Sequence, residues 1–114
     1  MEILVFDESR KTRDALTDSL GKKNTNVTCC SSSNDFMTTM QETSPDRILL
    51  DVTTWRKGTA IYNYFNFAPR LNKIPVVFFN APENFSSIQG RESHEQDRIL
   101  REPTDIQDLI SVVE

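Results

Sequence analysis

Glycine is scarce in this chain, with three in 114 residues, and no glycine-rich loop follows the first apolar run. Loops that cradle nucleotide phosphates need glycines so that backbone N–H groups can approach closely, so this scarcity argues against a cofactor binder of that kind. Long hydrophobic runs are also missing. None approaches the roughly 20 residues of a membrane span, and an acid at position 2 replaces the basic leader of a signal peptide. The only two cysteines, Cys29 and Cys30, are adjacent and form no C-x-x-C spacing. Neighbouring cysteines pair only in a strained ring, so one buried and one partly exposed thiol on a strand are expected, in a reducing cytosol. The single histidine, His94, lies in a polar stretch and reads as a solvated loop residue. An excess of positive charge is absent too. The net charge of -4 argues against direct nucleic-acid binding.

What is present fits one soluble domain, with 37% hydrophobic and 26% charged residues. Two short apolar runs stop abruptly on acids. Ile3-Leu4-Val5-Phe6 breaks into Asp7-Glu8, and Ile48-Leu49-Leu50 ends on Asp51. Runs this short, rich in branched residues, read as buried parallel strands.

The rest of the chain alternates strand and helix. Ser9 is placed to cap a helix from about Arg10 to Gly21, and Gly21 to stop it. Val27 to Cys30 is a second strand, and Ser33 or Asn34 caps a helix carrying Phe36, Met37 and Met40. After Ser44-Pro45-Asp46 comes a third strand, 47–51, and then a loop from Val52 to Gly58. Ile61, Tyr64, Phe65 and Ala68 share one helical face, with Tyr62 and Phe67 off it. Ile74 to Phe79 is the strongest strand and stops at Asn80. Arg98 to Arg101 is a short last strand, and Thr104 caps a final helix. Asp46-Arg47-Ile48-Leu49 and Asp97-Arg98-Ile99-Leu100 echo each other as short strands after an acidic turn.

Five strand–helix units in a row imply an α/β fold. The expected architecture is a flavodoxin-like (βα)5 doubly wound parallel sheet of strand order 2-1-3-4-5. That order sets strands one and three side by side at the centre. Ligands of open α/β sheets bind beyond the carboxyl ends of the strands, so Asp7, Glu8 and Asp51 are expected to converge there.

Over essentially its whole length, the chain resembles the receiver domain of bacterial two-component response regulators. The resemblance rests on Ile3 to Ser9, on Pro45 to Asp51, on Ile74-Pro75-Val76-Val77 and on Glu102-Pro103, in order and at similar spacing. It implies a single receiver-like domain over 1–114, standing alone or as the N-terminal part of a longer regulator, cytoplasmic and not an enzyme. Its partner would be a sensor histidine kinase or phosphotransfer protein, and a homodimer through the last strand and flanking helices is left open. Asp51 matches the phosphoacceptor. Asp7 and Glu8 match the acids that hold Mg2+, with Asp51 and the Thr53 carbonyl completing the metal set. Magnesium suits an all-oxygen site with one or two carboxylates.

Other positions depart from the family. Asn80 stands where receivers carry Thr or Ser, Glu102 where they carry Lys, and Ile99 where an aromatic switch residue often sits. The loop after Asp51 lacks the usual proline and is about one residue short before Gly58. At about 4 Å two unit charges interact by about 1 kcal/mol in water and about 4 at an effective dielectric of 20, so a charge reversal at Glu102 is consequential. Arg56 or Lys57 could fold back to compensate, or Glu102 could turn to solvent or join the metal shell, and Trp55 either covers the pocket or packs as a loop anchor. These departures make a phosphorylation-independent pseudo-receiver, acting as a protein–protein interaction module, the alternative. A metal-dependent phosphohydrolase is disfavoured because Thr53, not an acid, lies two residues after Asp51.

Overall fold

Side chains on successive strand residues point to opposite faces, and here both faces are covered. In the computed structural model the described residues are 1–21, 25–55, 73–86 and 95–113, excluding the side chains of Ser33 and Trp55. They form β1 (Glu2–Phe6), α1 (Arg10–Leu20), β2 (Asn26–Cys30), α2 (Ser33–Glu42), β3 (Arg47–Asp51), α3 (Val52–Trp55), β4 (Val76–Ala81), β5 (Arg98–Arg101) and α4 (Ile106–Val113). The strands make one parallel sheet of order β2-β1-β3-β4-β5, the doubly wound order expected from the alternation.

Ile3, Val5, Leu49, Val77 and Phe79 face α1 and α4, where they meet Leu16, Leu20, Leu109, Ile110 and Val113. Leu4, Phe6, Ile48, Leu50, Val76 and Phe78 face the other way, toward Phe36 and Met40 of α2. The Phe6 and Phe36 rings meet edge to face with centroids 5.2 Å apart. Burial on both faces explains why the central strands read as unbroken apolar runs rather than as an alternation. The two cysteines divide as expected for neighbours on a strand: Cys30 is buried and Cys29 half-buried.

The repeated acidic turn has a structural cause. Asp46, just before β3, accepts the first amide of β1 through its side chain (Glu2 N to Oδ2, 2.8 Å). Asp97, just before β5, accepts the first amide of β4 in the same way (Val76 N to Oδ1, 2.9 Å). Each carboxylate satisfies a strand-end donor on the neighbouring strand and helps to set its register.

Several local expectations need correction. Gly21 ends α1 with φ -63°, so its left-handed freedom is not used. The cap of α2 is Ser32, whose hydroxyl accepts from Asp35 N, one residue earlier than expected. The chain does not loop after β3 but turns at once into α3. β4 starts two residues late and runs through Asn80 to Ala81. The helical face 61–68, with Tyr62 and Phe67, and His94 lie outside the described residues, as do Arg56 and Lys57.

The Phe36 side chain is fully buried against the sheet. Phe36→Ala should cost about 3–5 kcal/mol in urea unfolding. Gln41→Ala, at an exposed position of the same helix, should stay within about 0.5 kcal/mol. Equal effects of the two changes would contradict this assignment of the core.

Candidate functional site

Phe6 and Leu50 are paired across β1 and β3, so the residues that follow them, Asp7 and Asp51, emerge side by side at the carboxyl edge of the sheet. Both are buried, at 1% and 5% exposure. Asp7 is fixed through its backbone N–H, which donates to Cys30 O at 3.0 Å. Its Oδ1 accepts from Ser9 N at 2.8 Å. Its Oδ2 is buried with no hydrogen-bond partner among the described residues. Burial drives the Asp7 pKa up to about 7; the Ser9 amide opposes the rise and the neighbouring Asp51 carboxylate adds to it.

Asp51 has two partners. The Thr54 hydroxyl donates to Oδ2 at 2.6 Å, and the Asn80 amide donates to Oδ1 at 3.3 Å. Thr54 is itself buried, and its oxygen accepts from the backbone N–H of Glu8 at 3.1 Å. It therefore ties the Asp51 carboxylate to the end of β1. Sequence reasoning missed Thr54 because residues 52–58 read as a loop. The signal was its spacing: residues three apart lie on one side of a helical turn.

Asn80 explains its own departure from a hydroxyl residue. Its φ is 53°, in the left-handed region, at an irregularity of the β4–β5 pairing between Phe78 and Ala81. Asn is several-fold enriched there, whereas a β-branched Thr would be strained. Asn80 and Thr104 also exchange two hydrogen bonds. Asn80 N donates to Thr104 Oγ1 at 2.8 Å, and Thr104 N donates to Asn80 Oδ1 at 2.9 Å. Thr104 is thus not the cap of α4. Asp105 takes that role, its Oδ1 accepting from Gln107 N at 2.9 Å.

The remaining predicted residues stand further out. Glu8 and Thr53 are exposed. Glu102 is exposed and lines an open groove with Ala81, Glu83 and Arg101. Among the described residues the hydrogen-bond partners of the Asp7 and Asp51 carboxylates are Ser9, Thr54 and Asn80, not Glu102. The Arg101 guanidinium is held by the Pro82 and Phe85 carbonyls. No lysine or arginine among the described residues pairs with Asp51. Nor does any group of three His, Cys, Asp or Glu side chains there have metal-holding geometry. The inner pair alone is an all-oxygen donor set, and the unpartnered Asp7 Oδ2 is the kind of atom a hard cation satisfies.

No protein-family model matches the sequence, and no curated protein matches it either. Solved structures do. The fold is that of response-regulator receiver domains. A two-component response regulator from Clostridium difficile superposes with TM-score 0.76 at 19% identity, over 99% of this chain and 92% of that one. The chemotaxis response regulator CheY4 of Vibrio cholerae gives 0.73 at 14% identity, over 98% and 94%. The beryllofluoride-activated NtrC receiver domain gives 0.71 at 19% identity, over 97% and 89%. Similarity at these identities establishes the fold, and the chemistry has to be argued from the site.

The buried Asp7 carboxyl gives a pH signature in metal-free solution. Its folded pKa of about 7 lies above the ordinary 3.8, so between these values the folded chain holds a proton that the unfolded chain has released. The contribution of Asp7 to stability is therefore fully present below about pH 4 and lost as the pH rises through 7, by an amount on the order of 4 kcal/mol. Urea midpoints of the chelator-treated protein should fall across this window. Asp7→Asn should flatten the fall, and an unchanged slope in that variant would rule out Asp7 as its source.

Proposed function

We propose that this chain is an atypical receiver domain of a bacterial two-component pathway, cytoplasmic and not itself an enzyme, in which Asp51 accepts a phosphoryl group from a histidine kinase or phosphotransfer protein. The observation that carries this reading is the buried pair of Asp7 and Asp51 at the carboxyl edge of the sheet, with one Asp7 oxygen left without a partner among the described residues. Two carboxylates in such a place are stable together only with a shared proton or a cation.

In this reading Asp7, Asp51, Glu8 and the Thr53 carbonyl would hold Mg2+. The ion would screen the carboxylate from the anionic phosphoryl group. Thr54 holds Oδ2 of Asp51 by a short bond, while Oδ1 has only the long Asn80 contact. Oδ1 is accordingly the nucleophile. It attacks phosphorus, the P–N bond of the donor phosphohistidine breaks, and the electron pair leaves on the imidazole nitrogen, which takes up a proton. The product is an acyl phosphate on Asp51, and the Asn80 amide is close enough to donate to a phosphoryl oxygen. A dimer is not needed for this reading, because Ile99, Leu109 and Ile110 pack within the two cores.

One observation favours the second reading, a pseudo-receiver that binds partners without phosphate. Both Asp51 oxygens are already hydrogen-bonded, and the position of the expected lysine carries an exposed Glu102.

Incubation with saturating Mg2+ and acetyl phosphate, read by intact mass, separates the two. A single phosphoryl adduct that disappears in Asp51→Asn supports the acceptor reading. No adduct at any Mg2+ concentration overturns it in favour of the pseudo-receiver. Glu102→Lys should raise the extent of phosphorylation about fivefold, matching the roughly 1 kcal/mol available to an exposed charge pair.

A further inference from the structure

The amino edge of the sheet, opposite the acceptor pocket, holds a cavity with two cations on its wall. Arg47 opens β3 and Arg98 opens β5, with β4 between them. Arg47 lies two residues before Leu49, and Arg98 pairs with Val77, so both side chains stand on the sheet face that packs against α4. Their Cα atoms are about 12 Å apart, two strand spacings across and two residues along. Between them is a cavity of about 160 Å3 lined by Arg47, Pro75, Val77, Gln96, Arg98 and Val112. Its volume is below the roughly 300 Å3 at which drug-sized ligand sites begin, so it suits a small ion rather than a nucleotide.

The two guanidiniums are held in place without a countercharge. Arg47, half-buried, donates through Nη1 to Asp46 O at 3.4 Å. Arg98, exposed, donates through Nη1 to Glu95 O at 2.8 Å and to Asp97 O at 3.0 Å. Among the described residues only these Nη1 groups have partners, and neither guanidinium pairs with a carboxylate. The other donors of each five-donor fork are left for a ligand. Each arginine does follow an acid in sequence, but the Asp46 and Asp97 carboxylates are bound to Glu2 N and Val76 N. Two cations that converge on one cavity without an acid stand out in a chain of net charge -4.

We propose that this cavity binds a small doubly charged oxyanion, of the phosphate or short dicarboxylate kind, between Arg47 and Arg98. Guanidinium forks recognise paired oxygens through two parallel hydrogen bonds. The backbone bonds at Nη1 orient the forks beforehand, which lowers the cost of binding. Pro75, Val77 and Val112 give the cavity an apolar wall, and the Gln96 amide adds a neutral donor. The last turn of α4 acts the other way. The carboxyl end of a helix is partially negative and itself attracts cations, and a purely helix-capping role for the two arginines would leave no response to added anions. The site is independent of the acceptor reading, because Asp51 lies at the far end of β3.

The test is an NMR titration of the 15N-labelled full chain in chelator-treated buffer with inorganic phosphate, with succinate and, at matched ionic strength, with sodium chloride. Phosphate or succinate should shift the amide signals of Val77, Gln96, Arg98 and Val112 saturably in the millimolar range, and the tighter of the two identifies a tetrahedral or a planar oxyanion as the preferred kind. Arg47→Gln and Arg98→Gln should each weaken that binding about tenfold. Arg98→Lys, which keeps the charge and loses the fork, should weaken it less. Lys11→Gln, at an exposed position of α1, should leave it unchanged. Equal shifts with chloride would reduce the effect to screening and overturn the site. Saturable binding that both glutamine variants leave intact would also overturn it. Should a variant fail to fold, the wild-type titration decides alone, and no saturable shift with either dianion refutes the site.

Discussion

Two carboxylates, Asp7 and Asp51, are withdrawn from water at adjacent strand ends, and much of the surrounding detail manages the cost of that arrangement. Removing a charge from water is expensive unless it is paired or hydrogen-bonded. Ser9 N, Thr54 and Asn80 supply donors to three of the four oxygens. The fourth, Asp7 Oδ2, is left over, and the protein responds by holding the Asp7 proton to about pH 7. A proton and a divalent cation are alternative solutions to one electrostatic problem, the burial of two neighbouring carboxylates.

The sheet puts the pair there. Parallel strands that are buried on both faces have all their carboxyl ends on one edge, and the order β2-β1-β3-β4-β5 sets the two acid-bearing strands together at the centre. The opposite edge is fastened by Asp46 and Asp97, which take up the first amides of β1 and β4. Acids at the amino edge therefore serve architecture, and acids at the carboxyl edge form the candidate site. Residue type alone does not separate these roles. Position along the strand does.

Much of this was legible in the sequence, for reasons that also mark where legibility ends. Short apolar runs, Ser9 before a helix and the strand–helix alternation are local signals, and they led directly to the strand order. The inner acids were legible because an apolar run ending on a carboxylate is itself a local pattern. Thr54 was missed because its three-residue spacing from Asp51 counts only once 52–55 is helical, and the role of Thr104 because its partner Asn80 is distant in sequence. Asn80 was noticed as a departure, but its meaning depended on a backbone angle, and an irregular strand pairing that sets such an angle leaves no periodic trace. Glu102 was read as an opponent of a phosphoryl group unless it turned to solvent, because its position in the chain implied proximity and left its orientation open. In the structure it is an exposed residue beside a groove, where water weakens its repulsion of the site.

That placement changes how the charge reversal bears on function. A buried glutamate facing Asp51 would have argued strongly against a second anion in the pocket. An exposed one removes an attraction without imposing a large repulsion, so among the described residues a phosphoryl group here would lack a cationic side-chain partner rather than meet an adversary. The described groups beside Asp51 that could hold it are neutral donors, the Asn80 amide and the Thr54 hydroxyl, together with any bound cation. Neutral donors stabilise an anion less than an ammonium does. A phosphorylated state of this chain would therefore depend on its metal more heavily than one with a lysine would. In that design the unpartnered oxygen of Asp7 becomes the residue's most consequential atom, because it is the one free to recruit the cation.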